Sequence, residues 1–201
     1  MVLRFVTTND GKWREVSALL AKHGIAVERI NAKVLEVQSD DLAEIARISA
    51  LDAYRSFGGE LFVEDAGLFV DALNGFPGPY SSYAYRTIGV RGLLRLMEGV
   101  ERRAAVFRSA VAYVDREGSV NVFVGEVRGF IATEPRGTKG FGFDPVFVPL
   151  GSERTFAEMD VEEKNRYSHR ARAVGELVKH LSARQHSKCQ VCLLKRHPCD
   201  V

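Results

Sequence analysis

Two long apolar runs near the middle of the chain, residues 104–115 and 119–133, constrain the fold more than any other feature. Arg116-Glu117-Gly118 joins them as a turn. Runs of that length across so short a connection predict a hairpin of two long strands, the basis of an extended sheet or ribbon. The chain has 201 residues, enough for one ample domain or for two lobes around a cleft.

The remaining elements are read around that ribbon. Val2–Thr7 is a short strand, and the polar turn Thr8-Asn9-Asp10-Gly11-Lys12 leads into a helix with Trp13, Val16, Leu19 and Leu20 on one face. Ile25–Val37 reads as a second strand region. Ser39 or Asp40 caps a helix over Asp41–Phe57 whose inward stripe is Leu42, Ile45, Ala46, Ser49 and Ala53. Val90–Met97 is helical. The glycine-rich loop Arg136–Phe143 passes into a strand over Asp144–Val148. Asp160 and Glu163 form a capping-box pattern. Ser168 caps the last helix, with Val174, Leu177, Val178 and Leu181 as its core face.

Three places in this order carry chemistry. A strand, a polar turn and a helix start suit a phosphate, because free N–H groups and the positive end of the helix dipole point at it. Asn9 can donate there and Lys12 supplies charge, although both also read as an ordinary N-cap and a first-turn lysine. The second place is Glu64-Asp65-Ala66-Gly67-Leu68, where two neighbouring carboxylates lie among apolar residues. Buried acids that repel one another call for a partner, and a divalent cation would serve. The third is Ser168-His169-Arg170. An arginine in the first turn opposes the helix dipole, so a ligand or an acidic partner must hold it there.

Charge excludes little beyond this. The formal net charge is +2, and no apolar run approaches membrane-spanning length. The N-terminus lacks a signal-peptide layout. These features predict a soluble cytoplasmic protein that engages neither membrane nor nucleic acid.

Thr8-Asn9-x-x-Lys12, Glu36, Glu64-Asp65-Ala66-Gly67-Leu68, Phe76-Pro77-Gly78-Pro79-Tyr80-Ser81, Gly140-Phe141-Gly142-Phe143-Asp144-Pro145 and Ser168-His169-Arg170 follow one another along one chain. In that order they resemble the inosine/xanthosine triphosphate pyrophosphatase family, from about Val2 to about Leu181. The resemblance implies an α/β fold with an elongated central mixed β-sheet and two lobes flanking a substrate cleft, assembled as a homodimer. It implies Mg²⁺-dependent hydrolysis of ITP, dITP and XTP to the monophosphate and pyrophosphate. It assigns Asp65 as general base and points to Glu36 and Asp65 as metal ligands, with Glu64 as a further candidate. It also implies substrate contacts from Thr7, Thr8, Asn9, Asp10, Gly11, Lys12, Ala66, Phe141, Gly142, Phe143, Asp144, Lys164, His169 and Arg170. Phe143 would stack on the purine and Arg170 would donate to its 6-oxygen.

One position departs from the family pattern. Many members carry a lysine in the second helix, where this chain reads Ser49-Ala50. The enzymatic domain is expected over residues 1–184, followed by a tail over 185–201. His186, Cys189, Cys192, His197 and Cys199 in that tail have zinc-compatible types, with a disordered segment, dimer packing or a disulfide as the alternatives. Two competing functions are the same reaction on another modified nucleotide, such as a pyrimidine, and nucleotide or nucleic-acid binding without catalysis.

Overall fold

A computed structural model describes residues 2–194, with side chains described through 184. The hairpin is present as β5 (Ala104–Val114) and β6 (Val120–Ile131), in antiparallel register from Ala104↔Phe130 to Val114↔Val120. Around it the chain builds one mixed sheet. β3 (Leu61–Val70) pairs antiparallel with β5 over ten residues. β1 (Leu3–Val6) lies parallel to β3 and to β2 (Val27–Ile30), and β7 (Phe147–Pro149) closes the far edge on β6. The strand order is β2-β1-β3-β5-β6-β7, with the two-residue β4 (Pro77–Gly78) also on β3.

Alternation along β3 sorts its side chains between two layers. Phe62 faces α1 (Asp10–Lys22) and α6 (His169–Leu194), in a cluster with Phe5, Val16, Leu20, Val111, Tyr113, Val174 and Leu177. Leu61 and Val63 face α2 (Leu42–Phe57), in a cluster with Ala46, Ala50, Ala53, Ala110 and Ala112. Together these form the first lobe. The far half of the ribbon carries a third cluster, in which Leu68, Phe107, Val127, Phe147 and Phe156 pack with Leu93 and Met97. This second lobe includes α3 (Ser81–Thr87) and α4 (Gly89–Leu96).

Several local expectations change. The second strand region is only four residues long, and the chain from 31 to 41 leaves the sheet without regular structure. Residues 81–87 are helical, with the Ser81 hydroxyl donating to the Gly78 carbonyl and accepting from the Leu68 amide. The strand after the glycine-rich loop starts late, because the Asp144 carboxylate accepts from the Phe141 amide and holds residues 144–146 in a 3₁₀ turn. Asp160 does cap α5 (Val161–Tyr167), but Glu163 is spent on Arg154. The reciprocal capping box is formed by Thr155 and Glu158 instead.

Gly67 fixes how the FPGP turn meets the sheet. A Cβ there would lie 2.3 Å from the Gly78 carbonyl oxygen, so the close approach of β4 requires glycine. Among the described residues no helix is long and apolar enough to cross a membrane. The expected boundary at 184/185 falls within α6. The cysteine and histidine side chains of the tail lie outside the described residues.

Candidate active site

A cleft of about 980 Å³ opens between the lobes. Its walls come from the β1–α1 turn, the 32–38 segment, the middle of β3, α3, the 141–144 loop, α5 and the start of α6. Of the residues expected at the site, Thr7, Thr8, Asn9, Lys12, Glu36, Asp65, Ala66, Phe141, Gly142, Phe143, Asp144, Lys164, His169 and Arg170 all line it. Asp10 and Gly11 do not. Asp10 pairs with Arg29 at 2.6 Å. Gly11 is buried beneath the Phe141 ring, where a Cβ would come within 2.3 Å of a ring carbon.

A chain of charges alternating in sign runs along the cleft. It begins at Asp65, whose Oδ1 lies 3.7 Å from Lys12 Nζ. Lys12 Nζ is 3.0 Å from Glu64 Oε2 and donates to the Glu64 carbonyl at 2.8 Å. Glu64 Oε1 accepts from Arg170 Nε at 3.0 Å and from the Ser109 hydroxyl at 2.5 Å. Arg170 Nη1 donates to Glu15 Oε2, and Glu15 Oε1 accepts from Lys164 Nζ at 2.6 Å. Lys164 closes the series on Asp144 Oδ2, also at 2.6 Å. From Glu64 to Asp144 every member is buried. Lys12 and Asp65 at the other end keep side-chain exposures of 17% and 27%.

This arrangement supplies Glu64 with partners of opposite charge. Successive residues of a strand point to opposite faces, so Glu64 and Asp65 diverge, but their charges still repel and Lys12 pairs with both. Glu64 turns toward α1 and α6, where Arg170 and the Ser109 hydroxyl hold Oε1 and Lys12 Nζ lies 3.0 Å from Oε2. Burial alone would raise its carboxyl. Arg170 and then Lys12 outweigh that and bring it down to about 2. The sequence signal at Arg170 is resolved by the same contacts, since Glu64 and Glu15 are the acidic partners that hold it against the helix dipole.

Asp65 differs. Burial raises its pKa, Lys12 opposes that, and the charges of Glu64 and Glu36 raise it further. Its Oδ1 accepts from the Ala66 amide at 2.9 Å. Among the described residues, no three His, Cys, Asp or Glu side chains gather to hold a metal. The cleft does offer Asp65 and exposed Glu36, two hard oxygen donors near enough for Glu36 to act on Asp65. That set suits Mg²⁺, which takes one or two carboxylates and fills its other positions with water and phosphate oxygens.

Asn9 does double duty. Its Oδ1 caps α1 by accepting from the Lys12 amide, which leaves the side-chain amide to donate elsewhere. At the other end of the cleft, Arg170 is held through Nε by Glu64 and through Nη1 by Glu15. His169 is buried and stacked on Phe107 at 4.7 Å. Burial first, then Arg170 and Lys164, hold its pKa well below the ordinary value, so the ring is neutral and carries one N–H. Phe143 is 3% exposed and packs edge-on to Tyr85, a place in the core rather than a free stacking face. Phe141 is the more open ring, with Lys164 Nζ 4.9 Å and the Arg170 guanidinium 5.5 Å from its centroid.

Sequence reading missed Glu15. Its signal was its place one turn after Gly11 and beside Val16, on the buried face of α1, where a lone carboxylate demands cations. Lys164 alone reads as a solvated surface lysine, yet it is 2% exposed.

The model of the Ham1 family matches residues 3–180. A dITP/XTP pyrophosphatase from Ignicoccus hospitalis is 55% identical over 179 residues, covering 89% of this chain and 95% of that protein. One from Hyperthermus butylicus is 52% identical over 180 residues, covering 90% and 94%. Among solved structures, a HAM1 protein from Coxiella burnetii superposes with a TM-score of 0.78 at 30% identity, covering 91% of this chain and all of that one. With the fold, the cleft and these likenesses in agreement, the chain belongs to the Ham1 family.

Proposed function

We propose that this protein hydrolyses the non-standard purine nucleoside triphosphates ITP, dITP and XTP to their monophosphates and pyrophosphate. The observation that carries this reading is the charge chain. It joins an anion-handling end at Asp65 and Lys12 to a donor-rich end at Arg170 and Lys164 within one cleft.

At the first end, Lys12, the Asn9 amide and the free N–H groups of α1 receive the phosphates and offset the charge that builds on the pyrophosphate leaving group. Asp65 and Glu36 are the residues that would hold Mg²⁺. When bound there, it neutralises phosphate charge and acidifies the attacking water. Asp65 takes the proton of that water at Oδ2, the oxygen not bonded to the Ala66 amide. A carboxylate whose pKa is raised holds a proton better than an ordinary aspartate, which suits the role.

At the second end, Arg170 Nη2 and the neutral His169 N–H face the base. Hypoxanthine and xanthine carry an oxygen at position 6 where adenine carries an amino group. Donors fixed in place by Glu15 and Glu64 reject a donor. Phe141 contributes an aromatic wall. In this reading the catalytic unit spans residues 1–184 and acts as a cytoplasmic homodimer that does not engage nucleic acid.

³¹P spectroscopy of the products tests the reaction. Wild-type protein with ITP and Mg²⁺ should yield IMP and pyrophosphate, with no IDP. Asp65→Asn should lose about 10²-fold or more in kcat while keeping its far-UV spectrum and melting transition. IDP with orthophosphate as products, or an Asp65→Asn variant as active as the wild type, contradicts the proposal.

A further inference from the structure

Position 49 departs from the family pattern, and the structure gives the serine there a specific task. Glu36 lies in the segment 31–41, which has no regular structure to hold it in place. Part of that segment is packed, since Ala32 and Val34 sit against the α2 cluster. Its end is tied to α2 by the Ser39 hydroxyl, which donates to Glu44 at 2.7 Å, and its attachment nearest Glu36 is at Leu35, the residue before it. The buried Ser49 hydroxyl donates to the Leu35 carbonyl at 2.7 Å. The Leu35 amide donates to Asp52 Oδ2 at 2.9 Å. Ser49 and Asp52 are three apart on α2 and so share a face. The Leu35 side chain itself is 55% exposed, so these two bonds grip its backbone rather than bury its side chain.

We infer that Ser49 and Asp52 are positioning residues for the metal site: they clamp the Leu35 peptide groups and so fix Glu36 opposite Asp65. This rests on the reading of Glu36 and Asp65 as the metal-holding pair. A carboxylate on an unclamped segment would have to be ordered each time the cation binds, at a cost in affinity. Where a lysine at this position would add a charge to the cleft, the serine orders one of the cleft's carboxylates. Ser49 lines the cleft and Asp52 does not, and the Ser49 hydroxyl is taken up by the Leu35 carbonyl.

The test uses Mn²⁺ alone as the probe, added to the nucleotide-free full-length protein and followed by the loss of the free-ion EPR signal. Ser49→Ala and Asp52→Ala should each weaken Mn²⁺ binding about tenfold, as loss of an outer-shell partner does. Asp52→Asn keeps an acceptor for the Leu35 amide and should bind like the wild type. Melting curves in EDTA should place all three variants within a few degrees of the wild type, which separates site order from stability. Three results overturn the inference: no Mn²⁺ binding by the wild type, unchanged affinity in both alanine variants, or equal losses in Asp52→Asn and Asp52→Ala. The proposed reaction is judged separately, by pyrophosphate release from ITP with Mg²⁺ in the wild type. A wild type that releases none while the alanine variants lose Mn²⁺ leaves the clamp standing and removes the function. Release with unchanged Mn²⁺ affinity does the reverse.

Discussion

Glu15 carries two cations on one carboxylate, Lys164 on Oε1 and Arg170 on Oε2, with all three side chains buried. Replacing it with glutamine removes the charge between two buried cations and leaves them repelling each other. The expected cost is about 3 kcal/mol of stability. Arg170 and Lys164 should also lose their fixed orientation, so Glu15→Gln should lower kcat/KM for ITP and shrink the preference for ITP over ATP. Steady-state kinetics with the two substrates check this, and an unchanged ratio counts against it. Glu64 supplies a pH dependence with a defined sign. Its carboxyl moves from an ordinary 4.5 to about 2 on folding. Its contribution is therefore fully present above 4.5 and is lost as pH falls from 4.5 toward 2, because the unfolded chain takes up the proton first. The amount is on the order of 3 kcal/mol. Urea unfolding at stepped pH should show that loss, and Glu64→Gln should flatten it. These contacts were hard to read from the sequence, since Glu15 meets partners 149 and 155 positions away. Arg170 was easier, because a cation in the first turn of a helix poses a local problem that only an anion solves.

Elements were legible where a long pattern coincided with a sharp stop. The β5–β6 hairpin and α2 follow their predicted bounds to within about two residues, because alternation, stripe and turn residues agree. The segment 31–41 was not legible, since it forms no ladder and its course is set by bonds from α2. Helix α3 was hidden behind two tyrosines, Tyr83 and Tyr85, a composition that suits strands as well as helices. The Gly67–Gly78 contact is the element-scale feature most open to test. Gly67→Ala places a methyl against a main-chain carbonyl that has no rotamer by which to yield. It should cost about 1–3 kcal/mol, read as a lower urea midpoint, and should move β4 and the cleft-lining α3 that follows it. An unaltered midpoint contradicts the close packing described.

At the scale of the molecule, the sheet is a shared floor. Its first half is covered by α1, α6 and α2, its second half by α3, α4 and the turns before β7, and the cleft lies where the cover changes. β3 crosses beneath both lobes, and that is why its carboxylates lie at the centre. The order of motifs along the chain disclosed the family and the cleft residues together. The pairing of charges across lobes was not disclosed, because each pair needs the fold to bring distant segments together. In the proposed function, one end of the cleft handles a metal-bearing triphosphate and the other reads a 6-oxo purine. Pyrophosphate release from ITP, XTP, ATP and GTP, each with Mg²⁺ and with EDTA, tests it most directly. Release that is strong from ITP and XTP, weak from ATP, and abolished by EDTA is the result predicted; guanine shares the 6-oxygen, so weak release from GTP requires a further unfavourable contact at its 2-amino group. Equal release from all four nucleotides would contradict the base-reading role of Arg170, and release that survives EDTA would contradict the metal role of Glu36 and Asp65.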